Sequence, residues 1–104
     1  MSQTAFKVTK EDELSNTATL RLAVMESNIK KVRKLTFEYP ETDISFCGGI
    51  LLLYAIKQYN HEMVQFLLNK GIIPNFVVIF TVTELLSGNS EFSYVLDYIK
   101  KIKG

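Results

Sequence analysis

The stretch at residues 50–75, ILLLYAIKQYNHEMVQFLLNKGIIPN, decides the fold. It opens on an apolar run that includes Leu52, Ala55 and Ile56. Tyr59-Asn60-His61-Glu62 breaks that run with polar groups. Met63, Val64, Phe66, Leu67 and Leu68 then form a second apolar face, and Lys70-Gly71 ends it. Two apolar-periodic segments joined by a short polar break predict two antiparallel helices, a helical hairpin. Asn60 suits the break because its side chain accepts hydrogen bonds from backbone N–H groups at a helix start. Glu62 in the first turn suits the helix dipole.

The pattern recurs to the N-terminal side. Leu20, Ala23, Asn28, Val32 and Leu35 return 32 positions later as Leu52, Ala55, Asn60, Val64 and Leu67. A weaker third copy places Gly88-Asn89-Ser90-Glu91 where Tyr59-Asn60-His61-Glu62 stood, 29 positions on. A period near 32 with two helices per unit predicts an all-α, short helical-hairpin solenoid of about six helices. Residues 1–14 are read as a lead-in or cap, with Thr9 and Asp12 opening a helical turn. Residues 15–104 form a single domain with approximate repeats at 18–45, 50–75 and 76–103. Beside the two helices of the 50–75 hairpin, helices are expected over 17–27, 29–38, 76–86 and 91–103. Leu20, Leu22, Ala23 and Val24 are expected on the buried side of the first. Pro40 ends the second, and 41–49 is turn-rich. Segment 76–86 carries the β-branched run Val77-Val78-Ile79, yet its length and place predict a buried helix.

Residues 60–71, NHEMVQFLLNKG, followed by Pro74-Asn75, resemble the second helix, closing glycine and following turn of the ankyrin repeat family. Leu52, Tyr54, Ala55 and Ile56 resemble its first helix. Residues 19–39 with Asp43-Ile44-Ser45 resemble a degenerate earlier copy. The similarity covers roughly 18–101, about two and a half to three repeats. The family's Thr-Pro helix opening is replaced by Ala18-Thr19 and Ile50-Leu51, and its inter-helix glycine is kept only as Gly88. The resemblance implies a protein-interaction module that contacts its partner at the ends of first helices and in inter-repeat loops. Those positions are Met25, Glu26, Phe46, Cys47, Lys57, Gln58 and Tyr59.

Composition narrows the other classes. A chain of 104 residues with 47% hydrophobic and 22% charged residues is one globular domain. A net charge of +1 does not suit a wholesale binder of nucleic acid or acidic membrane. The lone cysteine and the absence of an apolar leader in MSQTAFKVTKEDELS point to a cytoplasmic, intracellular setting. Lys30, Lys31, Arg33 and Lys34 crowd one helix, which reads as a solvated face rather than a phosphate-binding one. One Cys and one His fall short of a zinc site, and Gly48-Gly49 lacks the context of a phosphate loop. No metal and no cofactor is expected.

Cys47 and His61 are the one thiol–imidazole pair available. A nucleophilic pair needs the base beside the thiol and a third group to orient it. That makes a small Cys/His-dependent enzyme or ligand-binding protein one alternative. Another is an oligomeric structural subunit, since the late aromatics Phe76, Phe80, Phe92, Tyr94 and Tyr98 favour a homo-oligomer through the C-terminal helices. The leading expectation is non-catalytic: a module that binds another protein and inhibits or adapts it, of the kind used as a viral, phage or bacterial-effector modulator of a host.

Overall fold

The computed structural model describes residues 10–103, and the side chains of 16–102. The described residues are all helical, with six α-helices and no strand: α1 Lys10–Met25, α2 Ile29–Glu38, α3 Phe46–Lys57, α4 His61–Asn69, α5 Phe76–Leu85 and α6 Ser93–Lys103. A 3-10 turn, Ser90–Phe92, leads into α6. The predicted starts of α2 and α5 are met. The first helix begins at Lys10, seven residues before the predicted start, because Lys10, Glu11, Glu13 and Leu14 are good helix formers that apolar periodicity does not register. Thr9 and the rest of 1–9 lie outside the described residues.

The helices form two compact units, divided between Asp43 and Ile44. In the first unit α1 packs on α2. Leu20, Ala23, Val24 and Val32 are buried, whereas Leu22, expected inward, is exposed. Thr36 is buried as well, and its hydroxyl donates back to the Val32 carbonyl at 2.9 Å, which satisfies it within its own helix.

The second unit packs α3 against both α4 and α5. Leu51, Leu52, Met63, Leu67, Ile72 and Phe92 are its largest fully buried side chains, with Ile56. Leu52, Ala55, Ile56 and Val64 repeat the buried positions Leu20, Ala23, Val24 and Val32 of the first unit.

The three breaks share a left-handed residue, and the first two also share their hydrogen bonding. The residue before the asparagine adopts a left-handed backbone: Ser27 (φ 58°), Tyr59 (φ 55°) and Gly88 (φ 79°). In the first two turns the asparagine N–H reaches back five residues, Asn28 to the Ala23 carbonyl at 2.9 Å and Asn60 to that of Ala55 at 3.2 Å. The preceding N–H reaches back three, Ser27 to Val24 and Tyr59 to Ile56. These paired bonds close the helix C-terminus in a Schellman turn. The same asparagine then caps the next helix, accepting from Lys31 N–H at 3.1 Å and from Met63 N–H at 3.1 Å. One residue thus ends one helix and begins another. Asn60→Ala removes the side-chain acceptor and is expected to cost about 1 kcal/mol. Denaturant unfolding should show it as a lower midpoint with an unchanged slope.

Candidate functional site

Cys47, Gly48 and Gly49 at the start of α3 are all left-handed, with φ of 52°, 69° and 84°. Regular helix begins at Ile50. Gly48 and Gly49 adopt this conformation freely, but Cys47 does not, and the turn is held by surrounding contacts. Those contacts come from residues 73–75. The Asn75 N–H donates to the Gly48 carbonyl at 2.8 Å, and the Ile73 N–H donates to Ser45 Oγ at 2.8 Å. Asn75 Oδ1 in turn accepts from Val78 N–H at 2.9 Å and caps α5. The turn at 45–49 therefore sets where α5 starts. The Gly49 N–H is itself bonded to the Ser45 carbonyl at 3.0 Å, so it is not offered to an anion.

At the far end of α3 the chain forms an apolar pocket of about 180 Å³, lined by Ile56, Lys57, Tyr59, Leu85, Leu86 and Phe92. Ile56, Leu86 and Phe92 are its buried floor. Tyr59 (63% exposed) and Leu85 (47% exposed) are its open walls. Lys57, exposed at the rim, is the only charged group of the lining. Such a volume matches one aliphatic or aromatic side chain, since a dry cavity of ~150 Å³ accepts benzene.

The pocket floor rests on an aromatic cluster. The His61 ring stacks on Phe92 with centroids 4.2 Å apart and planes 7° apart. His61 Nδ1 lies 2.8 Å from the Tyr94 hydroxyl, and Nε2 lies 3.8 Å from a Glu91 carboxylate oxygen. The Tyr59 ring leans on Phe92 at 5.7 Å. Burial pushes the Tyr94 phenol above its ordinary range, and Tyr98 likewise. The Tyr98 hydroxyl donates to the Ile72 carbonyl at 2.7 Å. A thiol–imidazole dyad would need one His61 nitrogen at the Cys47 sulfur, but those nitrogens face Tyr94 and Glu91. Cys47 itself is exposed.

The seven residues expected to bind a partner are thus distributed. Lys57 and Tyr59 line the pocket, and exposed Gln58 sits between them as the C-cap of α3. Half-buried Phe46 and exposed Cys47 lie at the opposite end of that helix. Met25 and Glu26 close α1 in the first unit, and both are exposed. Sequence reasoning names Phe92 only as an apolar residue of the last helix and does not join Leu85, Leu86 or Phe92 to Lys57 and Tyr59, because they lie 26 or more positions along the chain. The one available signal was the alignment of the Asn60 and Asn89 breaks, which sets the residues after Asn89 beside those after Asn60.

Two further surfaces are notable. A wider groove of about 700 Å³ is lined by polar and aromatic groups of α4 and α6, among them Gln65, Asp97, Tyr98 and Lys101. On α2 the cations Lys30, Lys31, Arg33 and Lys34 are all exposed, as is Phe37.

Among the described residues no group of three or more His, Cys, Asp or Glu side chains is placed to hold a metal ion, and no helix is long and apolar enough to cross a membrane. Comparison with protein-family models, with curated proteins and with solved structures gave no match.

Proposed function

We propose that this chain is a non-catalytic protein-binding module built from ankyrin-like helical hairpins. Its binding site is the pocket at the end of α3. An apolar side chain of the partner enters between Tyr59 and Leu85, and an acidic neighbour of that side chain pairs with Lys57. The observation that carries this reading is an apolar pocket with open apolar walls and a single cation at its rim. Aromatic anchors in small apolar pockets supply most of the energy in protein interfaces. The rim charge contributes mainly orientation and encounter rate. Binding of this kind acts by occupation, so the module inhibits or adapts the protein it holds.

Selection from a random peptide library on the immobilised chain tests this directly. Enriched peptides are expected to share a large apolar residue next to Asp or Glu. Leu85→Glu places a carboxylate in the pocket wall and is expected to weaken those peptides more than tenfold. Because Leu85 is already half in solvent, the fold should survive the change. Enrichment with no shared motif, or peptides indifferent to Leu85→Glu, would count against the pocket.

A further inference from the structure

Helix α5, FVVIFTVTEL, has one charge, Glu84, and is apolar nearly all round. A helix of that composition is ordinarily buried on every side. Only Val78 and Val82 of α5 are buried here. Phe76 is 81% exposed, Val77 65% and Phe80 60%, and Ile73 just before the helix is 58% exposed. Positions 76, 77 and 80 fall on one face at i, i+1 and i+4, opposite Val78 and Val82. The expectation of a buried helix over 76–86 is therefore met on one side only. The other side is an uncovered apolar stripe.

We infer that this stripe is covered by a second copy of the chain, through an antiparallel pairing of the two α5 helices about a two-fold axis near Phe80. Area and charge both favour that occupant. At about 200 Å² per phenylalanine and less for the aliphatics, the four side chains carry about 500 Å². That is near the top of what monomers leave exposed as one patch. Two copies bring at most about 1,000 Å², at the small end for a specific interface, which suits a weak, concentration-dependent dimer.

A two-fold pairing sets each stripe against itself, and the one charge carried on that side of the helix is Glu84. An axis at Phe80 places position 84 of one copy opposite position 76 of the other. The carboxylate of Glu84 then lies over the first turn of the partner's α5, where the helix dipole favours negative charge. The same contact forms twice. A parallel pairing would instead bring the two Glu84 side chains together, so charge selects the antiparallel arrangement. The pocket at Lys57 and Tyr59 takes no part, and dimerisation stands or falls independently of peptide binding.

Sedimentation of the full chain across low to high micromolar concentration tests this. The expected result is a concentration-dependent change from one to two chains of 11.9 kDa. Phe80→Asp should abolish it with an unchanged helical circular dichroism spectrum. Glu84→Lys should raise the dissociation constant about tenfold. A strict monomer at every concentration would overturn the inference. So would a dimer that persists in folded Phe80→Asp, or assembly beyond two copies, since a two-fold contact closes on itself.

Should Phe80→Asp fail to fold, disulfide trapping decides. Phe80→Cys in a Cys47→Ser background is expected to cross-link rapidly on oxidation. Phe37→Cys in the same background, also on an exposed helix position, should not. Equal cross-linking of both, or of neither, contradicts the pairing.

Discussion

Gly49→Ala is expected to destabilise the protein by about 3 kcal/mol, roughly twice the cost of Gly71→Ala. Both glycines are left-handed, with φ of 84° and 82°. An L-residue pays about 1–2 kcal/mol for that conformation at either site. They differ in what a methyl group would meet. At Gly71 nothing lies within 4 Å. At Gly49 an added Cβ would sit 2.8 Å from Pro74 Cα and 3.1 Å from the Ile73 carbonyl oxygen. Both are backbone atoms and cannot swing aside.

Relief requires the 73–75 segment to move. That strains the Asn75–Gly48 and Ile73–Ser45 hydrogen bonds, each 2.8 Å long. Each such bond contributes about 1 kcal/mol. Thermal unfolding of the two variants side by side measures the contrast. At roughly 4–8 °C per kcal/mol for a domain of this size, Gly49→Ala should melt at least 10 °C below wild type. Equal shifts for the two variants would show that the turn does not clamp the start of α5.

The second large effect is expected at Phe92. Its side chain is fully buried, stacks on His61, touches Tyr59 and forms part of the pocket floor. Phe92→Ala removes that buried area and leaves a void under the pocket, a change that costs about 3–5 kcal/mol. The lost ring contacts with His61 and Tyr59 place it toward the upper end of that range. Phe92→Leu keeps most of the volume and should recover more than half of the loss. Chemical denaturation read by circular dichroism separates the two variants. Peptide binding should fall in Phe92→Ala even at temperatures where it is folded, because the floor that supports Tyr59 is gone.

Much of this architecture can be read from residue types. Each Asn at a hairpin break has a short acceptor that serves a helix start, so Asn28 and Asn60 mark their turns without reference to the rest of the chain. The buried pairs 32 positions apart follow from the same local periodicity. Asn75 caps α5 in the same manner, yet its position after Gly71 and Pro74 reads only as turn. The left-handed backbone at Ser27 and Tyr59 is also hidden, because neither residue favours it. Hydrogen bonding of the following asparagine imposes it.

The two surfaces proposed for binding were less legible, for different physical reasons. A helix as apolar as α5 has no continuous polar face to mark its solvent side. Its sequence cannot say which face is covered, and the exposed set Phe76, Val77 and Phe80 appears only once α3 is seen against the other side. The pocket joins Lys57 and Tyr59, which a loop-based reading reaches, to Leu85, Leu86 and Phe92, which only packing brings near. The placement of Phe46 and Cys47 at the other end of α3 from that pocket follows from the same limit. Repeat logic names equivalent positions, but it does not say which of them acquires walls.

The most direct test of the pocket is residue-specific. Amide chemical shifts would be recorded while a library-selected peptide is titrated into the labelled chain. The largest shifts are expected on Lys57, Tyr59, Leu85 and Phe92, and they should saturate together. Largest shifts on Gln65, Asp97 and Tyr98 in the polar groove, or on Phe76 and Phe80 of α5, would place the binding elsewhere and contradict the proposed site.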